Sequence, residues 1–567
     1  MTSYLSITLL CLLSAGNFFC KASGDHAIID EATQRDLNLV RSEKTKTLSD
    51  AIGATITQGG KDALDRFLLN PTDRIKTISG RQGNISFLLK NDKALPEKLS
   101  TELRALSAHE LALTQNYHTN NPLAEKALNR VYFSWPWLKQ FNTNPHALDA
   151  AYMGHITILC APLAIHVIES LLINRIFQPI SNVDTHQVES MHNHESSQAS
   201  HNADQVVHHH GDHRHNGCSH GSHNHVNWCA AQAFHWLADS KNLYNMGESV
   251  YNNALMIKSL QEQMIKVARY VQHARDIHGL LKEHGADNNF EPFAQLERFF
   301  KEKPACSPEC EKLFDLLKRS TFTGNASVLS RPGNVLAAYE TYNVVRQEFK
   351  LLTQVMSEID VYLSIAGLIK NQTPGKPWSF VKFKDGKDKE PQLIINGFHH
   401  PFIQQGGKQL DFSSATSQRT LVTGDNGSGK STYLTGVGHV LITAHVFGVV
   451  PAAHCELKPV SCIRTFRFIK DTIAEGTQGG VSRFYAECAR MIEITAAAEK
   501  NGPNPSVVLI DEPFTFTTAQ KGTQHLQEAL SKLEKLPETI SVVATHYDEF
   551  GSSENEWTKV HLAKLQA

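Results

Sequence analysis

The sequence predicts a multidomain α + α/β protein: a mostly helical region comes first, and a P-loop α/β domain follows it. Three observations carry this. From about Asp25 to Asn142, and again from about Asn227 to Asn371, apolar residues recur at three- and four-residue spacing with few Gly or Pro, the period of helices that bury one face. At Thr373-Pro374-Gly375-Lys376-Pro377 that period stops, and short strand-like runs follow at Phe380–Phe383 and Leu393–Ile395. Then Leu421–Thr432 reads LVTGDNGSGKST, an apolar run that ends in a glycine-rich loop and opens a helix. The 567 residues suggest several domains, and the 41% hydrophobic and 20% charged fractions exclude a disordered chain and a small disulfide-stapled scaffold. With 55 basic and 57 acidic side chains the net charge is -2, so any hold on nucleic acid needs a local basic surface or an encircling clamp.

The helical region has its own punctuation. Residues Tyr4–Phe19 form an uncharged apolar run, followed by Lys21 and the small residues Ala22-Ser23-Gly24. Residues 1–24 therefore read as a signal-peptide-like or anchor segment, with a buried amino-terminal helix or a mis-assigned start as the alternatives. Pro71-Thr-Asp73 and Asn142-Thr-Asn-Pro145 look like turns that open new helices. The run 150–176 is strongly apolar but holds His155, Pro162, His166 and Glu169. It reads either as a buried helical hairpin or as a membrane-associated segment, since polar residues at bilayer depth are costly without partners.

Between His186 and His225 lie twelve of the chain's 30 histidines, spaced by Ser, Asn, Gly and Asp and joined by Cys218. Such a composition cannot bury a core, so 186–225 is expected to be a His-rich disordered loop. Its imidazoles suit Zn²⁺, Ni²⁺ or Cu²⁺, which makes metal scavenging, a solvated spacer and a fixed metal site the competing readings. The ten cysteines are scattered, and most read as buried reduced thiols; Cys306 and Cys310 are spaced for a small disulfide or a metal.

The α/β domain carries the chemistry. In a loop of the form Gly424-Asp-Asn426-Gly427-Ser428-Gly429-Lys430-Ser431-Thr432, the glycines let the backbone wrap phosphates, and amide N–H groups plus a helix N-terminus stabilise negative charge. Lys430 is expected to reach the terminal phosphates of ATP, and Ser431 to ligate Mg²⁺. Ser506–Ile510 is a continuous apolar strand ending in Asp511-Glu512, about where a parallel sheet would place a Mg²⁺ carboxylate, Asp511, and a water-polarising base, Glu512. A second apolar strand, Ile540–Ala544, ends in Thr545-His546, which sets His546 to position the γ-phosphate and the attacking water. Lys430→Ala is expected to stop turnover and spare the fold, on the premise that this lysine is solvated in the empty site; Glu512→Ala is expected to keep ATP bound.

These residues resemble the ATPase of the MutS family, an ABC-type domain. Its loop T-G-x-N-x-x-G-K-S-T is similar to Thr423–Thr432, its G-R-H-P to Gly397-Phe-His-His400-Pro401, and its V-P-A to Val450-Pro451-Ala452. Its signature S-T-F-x-x-E resembles Ser482-Arg-Phe484-Tyr-Ala-Glu487, and its A-T-H-Y-x-E resembles Ala544–Glu549. More weakly, Leu69-Asn-Pro71 with Ile78 and Arg81-Gln82, and Glu358–Ala366, resemble the start of the family's core and the end of its lever helix. The resemblance implies a core/lever domain over 25–372 and an ATPase domain over 373–567, a homodimer in which Ser482 completes the partner's nucleotide site, and a clamp on double-stranded or branched DNA. It departs from the family at Phe514-Thr-Phe-Thr517-Thr518-Ala519, where the family has G-R-G-T-S-T, and the chain is expected to lack the mismatch-reading domain. The leading expectation is a MutS-like ATP-dependent DNA-binding protein. The alternatives are a membrane-associated or exported ATPase with a non-DNA role and a metal-responsive protein; the compartment stays open, since the signal-like start suggests export or membrane attachment and the MutS-like function suggests the cytoplasm.

Overall fold

The computed structural model describes residues 27–40, 46–53, 55–91, 94–114, 128–129, 131–177, 222–287, 289–300, 307–384, 392–403, 409–415, 417–467, 483–515, 517–546 and 557–562. The signal-like segment 1–24, Ser482 and nearly all of the His-rich stretch 186–225 lie outside these residues. The described chain is mostly helical with two sheets. It groups into two compact units, one drawn from 1–113, 269–307 and 346–567, the other from 114–268 and 308–345. The expected boundary at 372 marks where helical text gives way to α/β text; compactness groups the residues otherwise, joining the first 113 residues to the α/β part.

In the first unit, the helix Arg346–Lys370 packs against Gln58–Leu69, Ile75–Lys90 and Glu291–Phe300. Its buried stripe includes Leu352, Val355, Ile359, Tyr362 and Ala366, the amphipathic pattern expected of that segment. One polar contact fixes the register of this packing. Asp360, 1% exposed, accepts hydrogen bonds from the Ile56 and Thr57 amides and from the Thr57 hydroxyl at 2.7–3.0 Å. Burial raises its pKa, and those donors oppose the rise. The approach is so close that a Cβ on Gly60 would lie 2.2 Å from an Asp360 oxygen.

Among the described residues the α/β part holds ten strands: β1 (Ser379–Phe383), β2 (Leu393–Phe398), β3 (Leu410–Ser413), β4 (Arg419–Thr423), β5 (Val449–Val450), β6 (His454–Leu457), β7 (Cys462–Phe466), β8 (Ser506–Asp511), β9 (Thr539–Ala544) and β10 (Thr558–His561). A mixed sheet runs β3-β2-β6-β1-β5, and an all-parallel sheet runs β10-β4-β9-β8-β7. Strands β8 and β9 are buried almost throughout because both faces of the parallel sheet are covered. Val508 and Ile510 pack with Met491, Ile494, Leu526 and Leu530 from the helices Arg483–Lys500 and Ala519–Leu533. Leu509, pointing the other way, meets Gly438 on the helix Lys430–Phe447. The edge of β7 is not left open: Ile29 bridges to Ile463, so an early segment of the chain lies along it. The helical period of 25–142 gave no sign of this.

In the second unit, the apolar run 150–176 lies in one continuous helix, Pro145–Phe177, and the hairpin expected there is not formed. Pro162 has a φ compatible with helix, and no Gly, Asn or Asp beside it supplies a turn. This helix meets Pro332–Val344 backbone to backbone; a Cβ on Gly333 would fall 2.0 Å from the Pro145 carbonyl oxygen, and the Gly333 amide donates to Asp149 at 2.6 Å. Met153, Ile158, Ile165 and Ile168 stand exposed along the same helix. Cys310, Cys455 and Cys462 are buried free thiols, while Cys306 lies outside the described residues.

Asp360→Ala should lower stability by about 2–4 kcal/mol, because it strands two amides and a hydroxyl in a dry contact. Urea unfolding followed by circular dichroism measures this; a change below about 0.5 kcal/mol would show that the contact does not set the packing.

Candidate functional site

The loop between β4 and the helix Lys430–Phe447 needs its glycines. Gly424, Gly427 and Gly429 have φ of +146°, +79° and +97°, a region costly for any residue with a Cβ. At Gly424 space forbids one as well, since it would stand 2.4 Å from the Leu562 carbonyl oxygen. Gly429 is the N-cap of the helix and no side chain caps it, so the first helical amides face the loop. Asn426 and Gly427 are exposed at the tip, and the Ser428 hydroxyl oxygen is buried without a protein partner. An open helix start, positive-φ glycines and an unmatched hydroxyl form a concave donor surface for an anion.

Lys430 corrects one expectation. It is not solvated: it is 3% exposed, and its ammonium donates to the Gly424 and Asp425 carbonyls at 2.8 and 3.2 Å. A buried ammonium must find oxygens, and the loop carbonyls supply them. The ammonium also lies 3.3 Å from His546 Nδ1 and 3.9 Å from Glu512 Oε1. His546 Nε2 in turn contacts Glu512 Oε1. The partners fix the tautomer: a lysine can only donate, so Nδ1 accepts and Nε2–H donates to the carboxylate.

At the end of β8, Asp511 accepts a 3.1 Å hydrogen bond from the Ser431 hydroxyl. Burial raises the Asp511 pKa, with Ser431 and Arg467 pulling the other way. A hydroxyl and a carboxylate side by side at the start of a helix are hard oxygen donors, a set that fits Mg²⁺. Thr432 lies one residue further into the same helix. Glu512 follows with φ +47°, a strained value for a residue with a side chain, held by its amide's bond to the Ala544 carbonyl. The strand end thus turns sharply and leaves the Glu512 carboxylate, 36% exposed, beside His546.

The structure therefore brings together Gly424 to Ser431, Asp511, Glu512 and His546. Two participants, the end of β10 and Arg467, had no sequence signal strong enough to find them. Strand β10 runs parallel to β4, and its end walls the loop through Leu562 and through His561, whose ring lies 3.3 Å from the Thr423 hydroxyl. Arg467 approaches Asp511 at 3.9 Å. The segment Gly397–Pro401 acts as a brace: Phe398 packs on Tyr433 and against Gly436 of the loop's helix. Its histidines are kept neutral, with burial pushing His399 and His400 down to about 4.

Comparison with known proteins agrees with this geometry. The family model for MutS domain V, an ATPase domain family, matches residues 420–567. The DNA mismatch repair protein MutS of Anaplasma phagocytophilum is 27% identical over 224 residues, which is 39% of this chain and 25% of that protein. The protein of the same name from Ehrlichia chaffeensis is 26% identical over 208 residues, 36% of this chain and 24% of that protein. The matched region thus spans about a quarter of each relative. The loop, the acidic strand end and His546 converge on one edge of a parallel sheet, and the carboxyl-terminal part of the chain that holds them matches domain V of the MutS family.

Proposed function

We propose that this chain is a Mg²⁺-dependent ATPase of the MutS kind that works as a homodimer and couples the nucleotide state to a hold on double-stranded or branched DNA. In this reading 25–372 serves as core and lever and 373–567 as the ATPase. The observation that carries it is the meeting of Lys430, Glu512 and His546 over a glycine loop, beside the Ser431–Asp511 pair.

Each side chain then has work to do. Amides of Gly427, Ser428 and Gly429 and the helix start receive phosphate oxygens, with Asn426 and Thr432 at either end of the loop. The Lys430 ammonium exchanges its two loop carbonyls for phosphate oxygens, which carry full charge and are the stronger acceptors. Ser431 and Asp511 would hold Mg²⁺, which when bound supplies positive charge against the β- and γ-phosphates. Glu512 accepts a proton from the attacking water, and His546, by donating to Glu512, holds that carboxylate in line. Ser482 of the partner subunit would close the site over the γ-phosphate, so hydrolysis opens the dimer and the levers carry the motion.

Two variants divide these roles. Glu512→Gln should keep nucleotide affinity within about threefold while cutting turnover at least about a hundredfold. Lys430→Ala should lose both affinity and turnover, and stability as well by about 1–3 kcal/mol, since its carbonyl partners are left unmatched. Nucleotide-binding fluorescence and phosphate release on purified protein measure these; equal turnover in wild type and Glu512→Gln would remove Glu512 from the chemistry.

For the DNA partner, anisotropy titrations of duplex and four-way-junction DNA should show affinity that falls steeply between about 50 and 200 mM salt and changes on adding ATP. No binding at the lowest salt, with or without nucleotide, would eliminate DNA as partner.

A second reading, a membrane-associated ATPase with a non-DNA task, is favoured by one observation: the exposed Met153, Ile158, Ile165 and Ile168 on the long apolar helix. It requires the protein to stay in the membrane fraction after a high-salt wash, and Ile158→Asp with Ile165→Asp to release it. Recovery of wild-type protein in the soluble fraction ends that reading.

A further inference from the structure

Residues 28–39 are bound into the α/β domain at many points. The Ile28 carbonyl accepts from the Ile463 amide at 2.8 Å and from Arg464 at 2.7 Å. Asp30 receives a two-pronged hydrogen bond from Arg490, at 2.7 and 3.2 Å; burial works to raise its pKa, but Arg490 outweighs this and holds it below the ordinary value. The Thr33 hydroxyl accepts from the Thr465 amide, and Thr465 donates its own hydroxyl to Asp36 at 2.7 Å. The Leu37 carbonyl takes His439 Nε2 at 2.8 Å, and the Leu37 side chain fills the space over Gly438.

One contact of this segment leads to the candidate cation site. Arg467 donates to the Asp36 backbone carbonyl at 3.1 Å, and its Nε stands 3.9 Å from Asp511 Oδ2. Asp36, Thr465, Arg467 and Asp511 line the same small cavity. Arg467 therefore stands between the Asp511 carboxylate on β8 and the Asp36 backbone carbonyl on the early segment, and its charge, after that of Arg490, also acts on the Asp36 carboxylate. The opposite oxygen of Asp511 is the one that meets Ser431. A divalent cation arriving there would be repelled by Arg467 and attracted by Asp36, through a cavity too small to screen either charge fully.

We propose that Arg467 is a resident counter-cation that competes with the divalent metal for Asp511, and that Asp36 is the second anion that takes Arg467 over when the metal binds. The segment 28–39 thereby sets the metal affinity of a site on the far side of β7. The inference rests on the reading of Ser431 and Asp511 as Mg²⁺ ligands. Asp36 acts through Arg467 and is a positioning residue, not a catalytic one.

The test uses the full chain and the Mg²⁺ concentration that half-saturates binding of a fluorescent ADP analogue, with a thermal melt in EDTA to report the fold. Asp36→Asn keeps the acceptor for Thr465 and the backbone carbonyl, and removes only the charge; its Mg²⁺ midpoint should rise about threefold to tenfold. Arg467→Gln, at a partly exposed position, should lower the midpoint by a similar factor. In the double variant the Asp36 effect should shrink to within about twofold, because its effect runs through the arginine. A midpoint unchanged in both single variants, or an Asp36 effect equally large without Arg467, overturns the inference while leaving the nucleotide reading intact. Wild-type protein that binds no nucleotide at any Mg²⁺ concentration overturns both. Should Asp36→Asn fail to melt cooperatively, Arg467→Gln decides alone: a midpoint that does not fall refutes the competition.

Discussion

A buried ammonium that has to be surrounded by oxygen organises the site. Lys430 sits beneath its own loop and cannot reach water, so the carbonyls of Gly424 and Asp425 turn inward to meet it. Carbonyls can turn inward only if the residues around them adopt positive φ, which is why glycines stand at 424, 427 and 429. The Asp425 carbonyl also takes the Ser428 amide, so the cation that gathers the loop carbonyls also shapes the surface that an anion would meet.

The second requirement is a sheet that delivers its strand ends to one place. Strands β4, β8 and β9 are adjacent and parallel, so the glycine loop, Asp511-Glu512 and Thr545-His546 all emerge at the same edge. The strained turn at Glu512 then swings a carboxylate back over Lys430 and His546. The group comes from three separate stretches of sequence, and only the register of the sheet brings them together.

What could be read from the amino acids follows from how local the signal was. The glycine loop, the apolar strands around Ser506–Asp511 and Ile540–Ala544, and the amphipathic helix Arg346–Lys370 are each encoded in a short window, and each forms as its pattern requires. Features that depend on distant partners were not legible. Nothing in Ile28–Leu39 announces that it lies on β7, because its hydrogen bonds are backbone and side-chain pairings to residues more than 400 positions away. Burial of Lys430 was misjudged for a related reason: lysine is ordinarily a surface residue, and only the folded loop shows where its oxygens come from. The run 150–176, read as a buried hairpin or a membrane-associated segment, lies in the single helix Pro145–Phe177, because an apolar run of that length carries no local signal for a turn.

The placement of β10 has a bearing on biosynthesis. This strand pairs with β4 and sets the Leu562 carbonyl against Gly424, yet it leaves the ribosome nearly 140 residues after its neighbour. Until it emerges, β4 lacks one flank and the glycine loop lacks its wall. A product cut short before β10 therefore carries the nucleotide motif in its primary structure without the completed surround.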